Sequence, residues 1–278
     1  MTFKLSAFAD EISPDLDEQI RVCRENAVSH IELRSVNKIN VLDFDRNLRN
    51  QIKASLADNG LGVVSIASPI GKSKIDEPWP GHFERFKVAV ELAEFFNAPM
   101  IRIFSYYPPK PEQDVHQFRD EILKRMAAKV EYVKNQNLHL VHENEKGIYG
   151  EKGADCLDLM NSVNSPKLRC AFDFANFVQV GEGPLSNWQW LKPYTIHIHV
   201  KDARLADGSI VPAGDGDGQI EPILVDAWRH GYREFVSLEP HLKVAGHSHG
   251  ETGPELFKVA ADKLKEICRR NDIPLAGA

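Results

Sequence analysis

Val236-Ser237-Leu238-Glu239-Pro240-His241 reads as a buried strand that stops on a carboxylate. Apolar β-formers run up to Glu239, and Pro240 then blocks further ladder pairing. Three other runs finish in the same manner: Leu138 to His142 leads to Glu143, Leu168 to Phe172 leads to Asp173, and Tyr194 to Ile198 leads to His199. In a parallel barrel the strand C-termini converge on one face, so residues distant in sequence can meet there. Two Glu, one Asp and one His suit an octahedral divalent cation such as Mn²⁺, Co²⁺ or Mg²⁺. Taken singly, each is an ordinary polar strand end. Four in succession point to one constellation.

Working outward, Phe3 to Ala9, Ser29 to Leu33, Leu61 to Ala67 and Pro99 to Phe104 read as four earlier strands. Helical segments alternate with them. Ser13-Pro14 looks like an N-cap and first helical position, followed by a stripe of Leu16, Ile20, Cys23 and Ala27. Leu42 to Asn59 stops at Asn59-Gly60. Gly81 to Asn97 carries Phe83, Phe86, Val90, Ala93 and Phe96 on one face. Asp114 to Asn135, a weaker Ala154 to Asn161, a short segment at Leu185 to Leu191, Glu221 to His230 and Pro254 to Arg270 complete the set. Eight such alternations predict an α/β fold, a single (β/α)8 TIM barrel spanning residues 1–278 as one domain. A doubly wound sheet would carry a glycine-rich turn after its first strand, and Ala9-Asp10-Glu11-Ile12 is not one.

At 278 residues and 42% hydrophobic content, the chain has enough material for that core. Its formal net charge of −6 argues against nucleic acid as a partner, because phosphate binding needs a basic stripe. Cys23, Cys156, Cys170 and Cys268 form no CxxC pair, which suits reduced thiols in a cytoplasmic protein. The N-terminus lacks the apolar core of a signal peptide, and no run reaches membrane-spanning length. The sequence carries no decisive interface signal, so association with further copies of the chain stays open.

Other polar residues are candidates for the site. Glu32 and Arg34 end the second strand with the same pleat parity. Arg102 sits inside an apolar strand, where an unpaired guanidinium is costly, so it should reach the mouth or a carboxylate. Lys72 follows Gly71 in a loop and could hold a substrate oxygen or phosphate. Lys201 should point inward two residues after His199, to bind substrate or donate a proton. His241 could contact substrate, His197 should support the site from lower in the barrel, and His142 should face the helices. His247 and His249 read as solvated loop residues. Phe8, Phe104, Tyr106 and Trp79 could form an apolar wall for a small ligand. The Gly214 to Gly218 loop lies where barrels often take phosphate, but Asp215 and Asp217 would repel it, which favours a flexible lid or turn.

The strand ends Leu-Val-His-Glu143-Asn-Glu, Phe-Asp173-Phe-Ala-Asn, His-Ile-His199-Val-Lys-Asp and Ser-Leu-Glu239-Pro resemble those of the xylose isomerase-like TIM barrels, the superfamily of sugar phosphate isomerases and epimerases. The likeness covers nearly the whole chain. It implies Glu143, Asp173, His199 and Glu239 as ligands of one divalent metal ion, Mn²⁺ first, with Co²⁺, Mg²⁺ or Zn²⁺ as the other choices. It also implies Glu143 and Glu239 as the carboxylates that move a proton between the faces of a sugar, with Lys201 joining them as a catalytic group. Ketose 3-epimerases of the superfamily usually carry a His where Asn176 stands, which makes Asn176 a substrate contact here, and an Arg one residue beyond Arg204. The resulting expectation is a metal-dependent sugar isomerase or epimerase. The alternative is a lyase, a dehydratase of an inosose-like or 3-keto-sugar. An endonuclease IV-like enzyme would need more histidines and a basic surface, and a non-catalytic sugar-binding barrel would not need the full ligand set.

Overall fold

A computed structural model describes residues 2–245 and 250–276, so His247 and His249 lie outside the described residues. Eight parallel strands close into a barrel: β1 (Lys4–Ala7), β2 (His30–Leu33), β3 (Gly62–Ile66), β4 (Met100–Ile103), β5 (His139–Glu143), β6 (Leu168–Asp173), β7 (Thr195–Val200) and β8 (Phe235–Leu238). Chain neighbours are spatial neighbours, and β8 returns to β1 with Lys4 opposite Phe235 and Ala7 opposite Leu238. The helices α1 (Leu16–Glu25), α2 (Arg46–Asp58), α3 (Trp79–Phe96), α4 (Arg119–Tyr132), α5 (Gly153–Val163), α6 (Phe174–Gln179), α7 (Pro184–Leu191), α8 (Ile220–Arg229) and α9 (Pro254–Arg270) surround it. The main apolar core fills the space between strands and helices.

Inside the barrel the two-residue pleat sorts each strand by depth. Val64, Met100, Val141, Ala171 and Phe235 pack as an apolar plug near the strand N-termini. Two residues further along, Met100 gives way to Arg102, Val141 to Glu143 and Ala171 to Asp173. Each of these three polar side chains is buried. The interior is therefore greasy at the bottom and ionic at the top.

The expected alternation is present, with local departures. Helix α1 is capped by Asp15, whose carboxylate accepts the Glu18 N–H at 2.9 Å, so Ser13-Pro14 precedes the cap. The helix expected from Asp114 breaks into a short 3₁₀ turn, Val115–Phe118, and then α4, because Asp114 caps the turn through His116 N–H. Three two-stranded hairpins, pairing Ser35–Val36 with Ile39–Asn40, Asp202–Ala203 with Ile210–Val211 and Val244–Ala245 with Gly250–Glu251, decorate the C-terminal face. The Gly214 to Gly218 segment is not a loose lid. The amides of Ala203, Gly214, Gly216 and Gly218 all donate to the buried Asp202 carboxylate, at 2.9, 2.8, 3.1 and 2.8 Å. A methyl group on Gly216 or Gly218 would meet Asp202 at 2.5 or 2.6 Å, so both positions need glycine. A nest of amides suited to an anion is filled by the chain's own carboxylate.

Candidate metal centre

Glu143, Asp173, His199 and Glu239 each offer one ligand atom, and these atoms lie within 4.8 Å of one another at the C-terminal mouth. The strand register produces this: Asp173 stands opposite His199, His199 opposite Ser237, and Glu239 follows one pleat beyond. All four residues are buried.

Each carboxylate divides its oxygens between an outer support and an inner position. Asp173 caps α6, its Oδ1 accepting the Asn176 N–H at 2.8 Å, which leaves Oδ2 facing inward. Arg102 donates to Glu143 Oε2 at 2.9 Å, leaving Oε1 at 3.2 Å from His199 Nδ1. Glu239 Oε1 is approached by His241 at 3.5 Å, Arg34 at 3.6 Å and Arg102 at 3.8 Å, while Oε2 lies 3.5 Å from His199 Nδ1. Beneath, Glu32 Oε1 lies 3.1 Å from His199 Nε2 and also bonds His197. A carboxylate behind a histidine orients the ring and aims its other nitrogen at the centre.

The electrostatics express the crowding. Burial works against the charge on Glu143, but Arg102 outweighs it and holds the pKa at about 2. Burial likewise opposes Glu239, yet Lys201 and His241 keep it well below the usual range. Asp173 is pushed up to about 7 by burial and by its carboxylate neighbours, despite Lys201. Burial disfavours charge on His199, but Glu32 and Glu143 raise its pKa well above the ordinary value. Asp173 Oδ2, His199 Nδ1 and Glu239 Oε2 are buried without a hydrogen bond of good geometry. Buried polar atoms normally have partners. Orphaned atoms of this kind, converging from a carboxylate-rich set with one imidazole, fit a divalent cation.

The remaining candidates fall into place around this centre. Lys201 Nζ lies 2.9 Å from Asp173 Oδ2 and 3.6 Å from Glu239 Oε2. His241, in the left-handed region at φ 49°, reaches Glu11 at 3.1 Å as well as Glu239. Burial works against its charge, but Glu11 overrides it and raises the pKa to about 9. Glu32 is buried under His199 rather than open to the mouth. Asn176 spends its side-chain amide on the Asn144 carbonyl at 2.8 Å, so it ties strand ends together. Lys72 is paired with Glu145 at 2.6 Å and lies over the Phe104 ring. Phe8 packs edge-on to His199 and under Arg34 and Arg102, an aromatic floor at the mouth. Tyr106 and Trp79 do not join that wall. Tyr106 hydroxyl meets His82 Nε2 at 3.0 Å, and Trp79 stacks on His82, in the layer between barrel and helices. His142 bonds Ser105 on the outer side of the strands.

Sequence reasoning passed over Asp10, Glu11, Asn144 and Thr252. Asp10 holds Arg34 at 2.8 Å, and Glu11 binds the Thr252 hydroxyl and the His241 amide. Their signal was position: Asp10-Glu11 follows the first strand, on the same face as every other strand end. A cavity of about 630 Å³ is lined by Asp10, Glu11, Arg34, Lys38 and Lys243 among others; it touches none of the four candidate ligands but shares with the centre the supports Arg34 and Glu11.

Residues 20–267 match the family model for the xylose isomerase-like TIM barrel, and the chain belongs to that family. It is 22% identical over 188 residues to a 3-dehydroshikimate dehydratase of Bacillus anthracis, covering 68% of this chain and 66% of that protein. The chain thus spans just under two thirds of that relative. Its fold resembles that of D-allulose 3-epimerase from Methylomonas in complex with D-allulose (TM-score 0.72, 14% identity, 97% of each chain). It also resembles a xylose isomerase-like TIM barrel protein from Mycobacterium smegmatis in complex with magnesium (TM-score 0.72, 17% identity, 97% of each chain). Among the described residues, no helix is long and apolar enough to cross a membrane.

Proposed function

We propose that the protein is a divalent-metal-dependent isomerase or epimerase of a small sugar or keto-sugar, which moves a proton at the carbon beside a carbonyl. The observation that carries this is the set of four inward ligand atoms within 4.8 Å, each held from behind by another residue. Glu143, Asp173, His199 and Glu239 would hold the ion, with Mn²⁺ first and Co²⁺, Mg²⁺ or Zn²⁺ as the other choices. When bound, it would polarise a substrate carbonyl and offset the negative charge that develops as the neighbouring proton leaves.

The chain's own groups supply the rest. Arg102 ties down Glu143 on its outer oxygen, which suits a positioning and ligand role. The ion pairs of Glu239 run from 3.5 to 3.8 Å, against 2.9 and 3.2 Å for Glu143, so it is the less tightly held of the two, which suits a base. Lys201 and the Glu11-backed His241 flank it as proton donors. The Phe8 floor excludes water from beneath the substrate.

A dehydratase is the second reading, favoured by Asn176. Its amide is spent on Asn144, so no acid or base operates there, and Lys201 is the donor placed to protonate a leaving hydroxyl. The named activity of the Bacillus relative points the same way. Incubation of the Mn²⁺-loaded protein with ketoses and keto-sugars in D₂O separates the two. Deuterium at the carbon beside the carbonyl, with every hydroxyl retained, supports epimerisation or isomerisation. Loss of a hydroxyl with a new conjugated carbonyl absorbance supports the lyase, and no exchange with any substrate sinks both.

A further inference from the structure

Besides His241, three cations serve the three carboxylates of the centre, and they approach from different sides. Arg102 meets Glu143 at Oε2, and Arg34 meets Glu239 at Oε1. Both are outer oxygens. Both guanidiniums are also anchored elsewhere, Arg102 on the Ala67 carbonyl and Arg34 on Asp10. They buttress the ligands without crowding the position of the ion.

Lys201 is different. Its Nζ lies 2.9 Å from Asp173 Oδ2 and 3.6 Å from Glu239 Oε2, the inner oxygens a divalent cation would need. An ion bound at the usual ~2.0–2.6 Å from those oxygens would stand within a few Å of the ammonium. Like charges that close repel strongly in a buried site. The side chain is buried and is held through these two carboxylates. The backbone next to it is pinned, because Asp202 sits in its nest of four amides. Lys201 therefore has a fixed root and a flexible four-carbon stem whose head can swing.

We propose that Lys201 is an internal counter-ion that competes with the divalent cation. Its ammonium neutralises the inner oxygens until an ion enters, and ion entry displaces it toward the mouth, where it is free to hold a substrate oxygen. This rests on the metal-centre reading above and adds an order of events: the metal loads first and releases the donor that substrate then meets. It also sets Lys201 apart from Arg34 and Arg102, whose removal should weaken the site.

The test is Mn²⁺ affinity, read from the free-ion electron paramagnetic resonance signal, for the wild type, Lys201→Met, Arg102→Met and Asp173→Asn. Lys201→Met should bind at least about tenfold tighter than the wild type, Arg102→Met weaker, and Asp173→Asn not at all. Equal or weaker binding by Lys201→Met overturns the counter-ion role while leaving the metal centre standing. No binding by any of the proteins overturns both. If Lys201→Met does not fold, the Mn²⁺-loaded crystal structure of the wild type decides. Lys201 Nζ beyond salt-bridge reach of Asp173, more than about 4 Å, supports displacement, and an unmoved pair refutes it.

Discussion

Asp173 divides its two oxygens between the fold and the site. Oδ1 caps α6 and Oδ2 faces the centre. Asp173→Asn keeps an oxygen that can accept the cap bond but removes the counter-charge of the buried Lys201, so the metal-free protein should lose about 3–5 kcal/mol in urea unfolding. A loss under about 1 kcal/mol would show that Lys201 finds another partner or reaches water. Glu239→Gln should leave circular dichroism unchanged and abolish turnover, since it removes a ligand and the proposed base together. Turnover near the wild-type rate in that variant would refute the mechanism. Arg102→Met leaves the buried Glu143 carboxylate without its guanidinium partner, and should cost about 3–5 kcal/mol of stability in the metal-free protein. Urea denaturation with and without Mn²⁺ checks this, and the cost should grow when the ion is present, because the variant binds it more weakly. At this scale the four strand-end residues and Arg102 were legible. Each is a polar residue in or ending a run that has no other reason to carry one. Glu11 was not, because its partner His241 lies 230 positions away and only barrel closure brings them together.

At the scale of elements, α4 carries an unusual burden. It turns Lys129 fully inward, with Nζ 3.5 Å from the Met126 sulfur and 4.6 Å from the Tyr106 ring centroid. Burial, reinforced by Arg125, lowers its pKa to about 7. Arg125 on the same helix and, from the packed elements, the neutral rings of His82 and His142 bear on it, both histidines having pKa values lowered to about 3 by burial. An unfolded lysine titrates near ~10.4, so the unfolded chain binds this proton more tightly than the folded one. Stability from this group is therefore greatest above that value and falls as pH drops toward about 7. Lys129→Met should raise the melting temperature near pH 7, with a gain that fades by pH ~10. A difference between wild type and variant that does not change with pH would mean that the amine stays charged or reaches water. The Asp202 nest gives a second element-scale expectation. Gly216→Ala or Gly218→Ala drives a methyl into the Asp202 carboxylate and should cost at least ~1 kcal/mol by denaturation. A neutral result would show that the loop can open.

For the whole molecule, the candidate ligands come from the ends of four adjacent strands, so an ion held there would staple half the barrel. An ion that binds only the folded chain at one hundred times its Kd adds about 2.7 kcal/mol, so Mn²⁺ should raise the melting temperature and a chelator should reverse it. Asp173→Asn should remove the shift, and a shift that survives in that variant would place the ion elsewhere. The sequence by itself determined the eight-fold alternation and the strand ends. These depend on short-range properties: pleat period, helix stripe, and residues that stop a ladder. Only the tertiary structure decided which oxygen of each carboxylate faces inward, that Glu32 lies under His199, that Tyr106 and Trp79 turn to the helices, and that Asp202 fills the amide nest. Those outcomes depend on barrel stagger and on loops meeting from opposite ends of the chain. No local pattern encodes a distance between residues that become neighbours only when the sheet closes.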